Sequence, residues 1–243
     1  MANSGKVTSR RGRTPADEKR PERRRKYQHL VLIVCEDTAT ERLYFEAAFP
    51  DLPENTVRVR AIGTGCDPLG VAQRAIAERA ALAQEANREV DQVWLVFDKD
   101  DADQEPGKTA RFADALALAK QEKMVLAFSN EVFELWLLLH FVDVAADAPL
   151  PRTRVYDLLD EALRQHPLFA TKGYYHKKTT ENKASKPADV LQAVRELGDE
   201  TLAQARAEIL LTAHADTPLL AANPSTRVHR LLQSLRGWVE HYG

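Results

Sequence analysis

The chain has 243 residues, 44% of them hydrophobic, enough to bury a real core as one large domain or as a domain with a helical extension. No apolar run is long enough to span a membrane, the basic first residues are not signal-like, and two cysteines, Cys35 and Cys66, offer neither a disulfide framework nor a metal-ligand spacing. A membrane protein and a disulfide-stapled secreted protein are thereby excluded as expectations, and a cytoplasmic location is expected.

Net charge is −2, unevenly spread: residues 1–28 hold ten Lys/Arg against three acids, which is +7 and leaves −9 for the rest. With almost no apolar residues, 1–28 reads as a disordered basic arm. It either contacts nucleic-acid phosphates, with Arg23, Arg24 and Arg25 as candidate contacts, or serves as a solubilising tail.

His29 to Cys35 is apolar and predicts a first strand, followed by the acids Glu36 and Asp37. Thr38 to Phe49 has helical spacing, and 57–62 predicts a second strand. Gly63-Thr64-Gly65-Cys66-Asp67-Pro68 predicts a tight turn, an Asp67 N-cap and Pro68 at the first helical position, with a helix running to about Asn87. That turn could seat a phosphate on the helix N-terminus, but it has neither nucleotide-loop spacing, and helix-start chemistry explains it.

Gln92-Val93-Trp94-Leu95-Val96-Phe97-Asp98-Lys99-Asp100-Asp101 begins as a buried parallel strand and ends in carboxylates. On extended backbone, Asp98 and Asp100 would point the same way. Two such carboxylates repel unless a cation sits between them, and hard oxygen ligands favour magnesium, manganese or calcium. The alternative is an acidic turn that only solvates a loop. An EF-hand is excluded, because Asp103 and Thr109 stand where that loop needs Gly and Glu. Gly107 to Glu122 predicts a third helix, and Lys123 to Phe128 a fourth strand closed by Ser129-Asn130.

The β-α-β-α-β-α-β order over 29–128 predicts an α/β fold with a mainly parallel sheet flanked by helices, and a site at the carboxyl ends of its strands. Glu36, Asp98 and Asp100 all lie at such ends. Glu131 to Phe141 predicts a buried helix in which Glu134 is the odd carboxylate, either part of the site or held by a structural hydrogen bond. His140 reads as a core histidine rather than a ligand.

Beyond 142 the character changes. A loop at 145–151 leads into helices over 152–165, 185–197, 199–214 and 223–241, a helical C-terminal region (143–243) packed on the 29–142 core. Tyr174-Tyr175-His176-Lys177-Lys178 could stack bases and neutralise phosphates, or simply form a surface loop. Asn223-Pro224-Ser225-Thr226 predicts a cap and start for the last helix.

A strand ending in Glu and a later strand ending in Asp-x-Asp resemble the Toprim domain of topoisomerases, primases and some nucleases. With Ser129-Asn130, Phe133-Glu134-Leu135-Trp136-Leu137-Leu138-Leu139-His140-Phe141 and Asn223-Pro224-Ser225-Thr226, the chain after the arm more specifically resembles the RloB family of phage-defence and abortive-infection operons. The resemblance implies a Toprim-like core and a nuclease-like metal site holding Mg2+ or Mn2+ on Glu36, Asp98 and Asp100. Glu134 would join the catalytic set, with Asn130, His140 and Asn223 in support. It also implies a nucleic-acid substrate, an ATPase partner from the same operon, and a homo-oligomer as one further expectation. Two departures stand out: Glu131-Val132 where Pro-Cys is expected, and Asp37-Thr38 where a Gly commonly follows the glutamate. The expected function is a Mg2+-dependent nuclease in anti-phage defence. A catalytically silent module regulating the ATPase, and a phosphotransfer receiver, are the alternatives.

Overall fold

The computed structural model describes residues 29–49, 57–170, 172–173 and 183–242. The elements run β1 (His29–Cys35), α1 (Thr40–Ala47), β2 (Val57–Gly63), α2 (Pro68–Ala86), β3 (Gln92–Asp98), α3 (Pro106–Gln121), β4 (Val125–Asn130) and α4 (Glu134–Leu138). They continue with α5 (Arg152–Leu163), β5 (Lys172–Gly173), β6 (Lys183–Ala184), α6 (Pro187–Leu197), α7 (Glu200–Ala213), β7 (Ser225–Thr226) and α8 (Val228–Tyr242). Five strands form one sheet in the order β2-β1-β3-β4-β7, the first four parallel and β7 antiparallel to β4. The fold is therefore α/β, with a mostly parallel sheet flanked by helices and followed by further helices.

Each strand's alternation decides which layer it feeds. Leu30, Leu32 and Val34 of β1 and Leu95 and Phe97 of β3 face α2 and α3, packing with Val71, Phe112 and Phe128. Val31, Ile33 and Cys35, with Trp94 and Val96, face the opposite way. There they share one core with Phe45 of α1, Trp136 of α4 and Leu159, Val190, Leu210 and Leu232 of the later helices. This explains the uninterrupted apolar runs: β1 is buried on both faces along its whole length. Phe97, Phe112 and Phe128 meet edge to face with centroids 5.6 to 5.9 Å apart. Truncating Phe97 to Ala would cost about 3–5 kcal/mol.

Asp67 caps α2 as the sequence predicts, its Oδ1 accepting the Gly70 N–H at 2.9 Å, with Pro68 opening the helix. Three expectations need correction. The helix placed over 131–141 is regular only from Glu134 to Leu138, because Asn130 still belongs to β4 and the chain turns through 131–133. Ser225 and Thr226 do not start the last helix but form β7, and α8 begins at Val228. Thr226 Oγ1 and Ser129 Oγ are hydrogen-bonded at 3.0 Å, and the Arg227 N–H donates to the Phe128 carbonyl at 2.8 Å, so edge groups of β4 find partners there. The third correction concerns Asp100. Strand β3 stops at Asp98, and Asp100 has φ +45° in the turn that follows, so alternation does not align the two side chains. Among the described residues, no helix is long and apolar enough to cross a membrane.

Candidate acidic site

Parallel strands β1 and β3 deliver their ends to one place. Cys35 stands beside Val96 in the ladder, and the Glu36 N–H continues it to the Val96 carbonyl at 2.9 Å. Glu36 Oε2 then accepts the Asp98 N–H at 3.1 Å, so the two strand ends are tied through the Glu36 side chain. Asp37, in place of the expected Gly, serves the local backbone, its Oδ1 accepting the Ala39 N–H at 3.1 Å where α1 begins. The close approach that asks for glycine is met from the neighbouring strand. A Cβ on Gly63 would lie 2.4 Å from Thr38 Cα and 2.5 Å from the Asp37 carbonyl oxygen.

Asp98 is turned inward. Its Oδ2 accepts the Phe133 N–H at 2.8 Å, while its Oδ1 is buried with no hydrogen-bond partner among the described residues. Glu41, in the first turn of α1, and Glu134, opening α4, are only 2% and 6% exposed. Glu41 Oε2 accepts the Asp37 N–H at 3.0 Å. These carboxyls crowd each other. Burial, reinforced by Glu41, Glu134 and Glu36, pushes Asp98 well above the ordinary carboxylate range. Burial likewise raises Glu41, with Glu36, Asp37 and Glu134 adding to it. Burial pushes Glu36 up to about 7, the Asp98 N–H opposing it and Asp100 adding to it.

Asp100 belongs to a different arrangement. Arg152, at the start of α5, lies 3.2 Å from Asp100 Oδ1, 2.6 Å from Asp101 Oδ1 and 3.8 Å from Glu131 Oε2. Glu131 also accepts the Arg152 N–H at 2.9 Å and the Asn223 Nδ2 at 3.3 Å. Lys99 pairs with Asp103 at 2.9 Å and stands 3.7 Å from Glu131. The unexpected acid at 131 thus clamps the β3 turn to α5 and to the loop before β7.

Glu36, Asp98 and Asp100 form the wall shared by two cavities. One, of about 290 Å³, continues among Glu41, Glu134, Phe133 and Tyr156. The other, of about 260 Å³, opens past Lys99 toward Lys108 and Arg111 on α3. Each cation there has an acidic neighbour, Glu105 at 3.0 Å from Lys108 and Asp67 at 2.5 Å from Arg111. The centre is therefore acidic on one side, while on the other its acids are interspersed with Lys99, Lys108 and Arg111.

The donor set suits a hard divalent cation: it is all carboxylate, it is mutually repelling, and it includes an orphaned buried oxygen on Asp98. Among the described residues, no three His, Cys, Asp or Glu side chains already stand as a ready-made metal cage. The Tyr156 phenol lies beside this set, its ionisation pushed up by burial and then by Glu134 and Asp98.

Of the residues singled out in the sequence, Glu36, Asp98, Asp100 and Glu134 do come together. Asn130 and Asn223 act beside them: Asn130 Nδ2 donates to the Leu219 and Leu220 carbonyls at 3.3 and 3.0 Å, and Asn223 Oδ1 accepts the Leu150 N–H at 2.9 Å. His140 lies elsewhere. Its Nδ1 is 3.0 Å from the Trp136 carbonyl oxygen, burial lowers its pKa, and it lines a separate cavity with Tyr44 and Glu200. Arg23, Arg24, Arg25, Lys177 and Lys178 lie outside the described residues. Sequence reasoning missed Glu41, Arg152 and Tyr156. Only Glu41 carried a usable signal, being an acid in the first helical turn directly after the strand that ends at Glu36.

Comparison with curated proteins and with solved structures finds no match for the chain. One family model does match, that of the RloB-like proteins, over residues 31–235, from the first strand into the last helix. The chain belongs to the RloB-like protein family.

Proposed function

We propose that this RloB-like protein is a divalent-metal-dependent nuclease acting in phage defence, with a Toprim-like centre. One observation carries the reading: Glu36, Asp98 and Asp100 divide an acidic cavity from one that also presents Lys99, Lys108 and Arg111. Phosphodiester cleavage needs both, negative groups to hold a cation and positive groups to receive the phosphate backbone. Glu36, Asp98 and Asp100 would hold Mg2+ or Mn2+, with Glu41 and Glu134 adding negative charge behind them. Such an ion screens phosphate charge and makes its bound water acidic.

The chain's own residues do the remainder. Glu36 Oε2 is held by the Asp98 N–H, which leaves Oε1 to take a proton from the attacking water. Lys108 and Arg111 would take phosphates flanking the scissile one, and the basic arm would add affinity that carries no sequence information. An ATPase partner from the same operon would couple this activity to infection.

Purified protein incubated with plasmid, single-stranded DNA and total tRNA, with magnesium, manganese or chelator, tests the reading. Cleavage of at least one substrate, dependent on metal and lost in Asp98→Asn, is expected. Binding without cleavage under every condition would instead support a silent regulatory module.

A further inference from the structure

A separate cavity of about 310 Å³ lies where α7, β7 and the start of α8 meet, and it shares no lining residue with the acidic centre. Arg227 and Arg230 line it, together with His214, Thr217 and Glu208. Its charges do not balance. Glu208 is already engaged, one oxygen 3.1 Å from Arg230 Nη2 and the other 2.9 Å from His229 Nε2. Arg227 has no acid within ion-pair distance among the described residues, although it is partly buried and its own N–H is fixed to the Phe128 carbonyl. Burial and the neighbouring Arg230 both disfavour its charge. In the same wall, His214 Nε2 is buried without a hydrogen-bond partner among the described residues.

A guanidinium held partly out of water beside a second cation is costly unless an anion answers it. Its planar fork suits phosphate oxygens, two at a time. A volume near 300 Å³ is at the small end of ligand pockets and fits one nucleotide-sized molecule rather than a strand. We infer that this cavity binds a small phosphomonoester of nucleotide size, with Arg227 on the phosphate and His214 and Thr217 as further polar contacts. Its occupancy would be felt at β4. Leu219 lines the cavity, and its carbonyl accepts Asn130 Nδ2, so an occupant braces the segment that buttresses the end of that strand.

The test is thermal melting of the full chain in chelator, with inorganic phosphate or adenosine monophosphate against sodium chloride of matched ionic strength. Working without divalent metal separates the outcome from the nuclease reading, which this inference does not require. The parent should melt higher with either phosphate compound, and Arg227→Gln should weaken the apparent affinity about 10- to 100-fold, the loss of a charge-assisted pair of hydrogen bonds. No rise beyond the chloride control overturns the inference, as does an equal rise in Arg227→Gln. If that variant does not fold, Arg227→Lys serves, since it keeps the charge and loses the fork; unchanged affinity for adenosine monophosphate in it also overturns the inference. A single-stranded oligonucleotide without terminal phosphates forms a third arm. If it gives the larger Arg227-dependent rise, the ligand is a phosphodiester strand and the small-molecule assignment fails.

Discussion

Two groups of acids stand side by side at the carboxyl end of the sheet, and they solve the problem of negative charge in opposite ways. The turn after β3 gathers Asp100, Asp101 and Glu131, and Arg152 lies within ion-pair distance of all three. Beside it, Glu41 and Glu134 are buried and Glu36 and Asp98 half-buried, and the charges that act most on Asp98 are other carboxylates. The first group is a clamp built on a cation of the chain, and Asp100, which also lines the cavities of the second group, is where the two meet. The second is an unfinished electrostatic arrangement, stable as it stands only by holding protons. The contrast teaches where to look for function: the number of acids matters less than whether the fold supplies their counter-ions.

The largest expected effect lies in the unfinished group. Asp98→Asn should lower cleavage by at least about 100-fold, since even partners once removed from a metal ligand are worth 10- to 100-fold. In chelator the variant should melt no lower than the parent, because the amide is neutral without having to hold a proton and keeps an oxygen for the Phe133 N–H. It should lose most of the rise in melting temperature that millimolar magnesium or manganese gives the parent. Equal rises in both proteins would show that these acids do not hold a cation.

Next comes pH. Glu36 titrates at about 7 in the folded protein against an ordinary value of 4.5. Between those values the native state keeps a proton that the unfolded state has lost, so stability falls as pH rises through that window and levels off above it. The contribution is about 3 kcal/mol across the window. Urea unfolding in chelator from pH 4.5 to 8 should show this decline in the parent and a shallower one in Glu36→Gln. Metal should act most strongly above pH 7, where its binding need not displace that proton. Identical slopes in the two proteins would mean that Glu36 is not the group responsible.

Breaking the clamp should have a smaller and qualitatively different effect. Arg152→Ala should cost about 1 kcal/mol, or 2–4 °C in melting temperature, given that its partners are partly exposed. Its metal-induced rise should persist, the reverse of the pattern in Asp98→Asn. A variant that loses the metal response would place Arg152 in the site itself. Smallest of all should be Glu131→Gln, at or below about 1 kcal/mol in urea melts: the amide can still accept the Arg152 N–H while the ion pairs weaken. A loss comparable to that of Asp98→Asn would dissolve the distinction between the two groups.

Much of this was legible in the amino-acid order. Apolar runs such as Leu30 to Cys35 and Val93 to Phe97 mark strands buried on both faces, and the acid that ends each run marks the carboxyl edge of the sheet. The alternation of strand and helix is local, since periodicity and caps such as Asp67-Pro68 act within a few residues. The sequence by itself thus determined the parallel α/β core, the placing of Glu36 and Asp98 at strand ends, and the family to which the chain belongs. What it could not determine depends on contacts between distant segments. Glu41 reads as one more acid of an amphipathic helix until α1 packs with its first turn against Asp98. Asp100 reads as the alternate partner of Asp98 until β3 ends too early for that pairing. Ser225 and Thr226 read as a helix cap until the edge of β4, nearly a hundred residues upstream, takes them as a strand. Arg152 carries no signal at all until α5 brings it to the turn. Only the tertiary structure decided which acids receive a counter-ion, because charge compensation acts through space and leaves no period in the sequence.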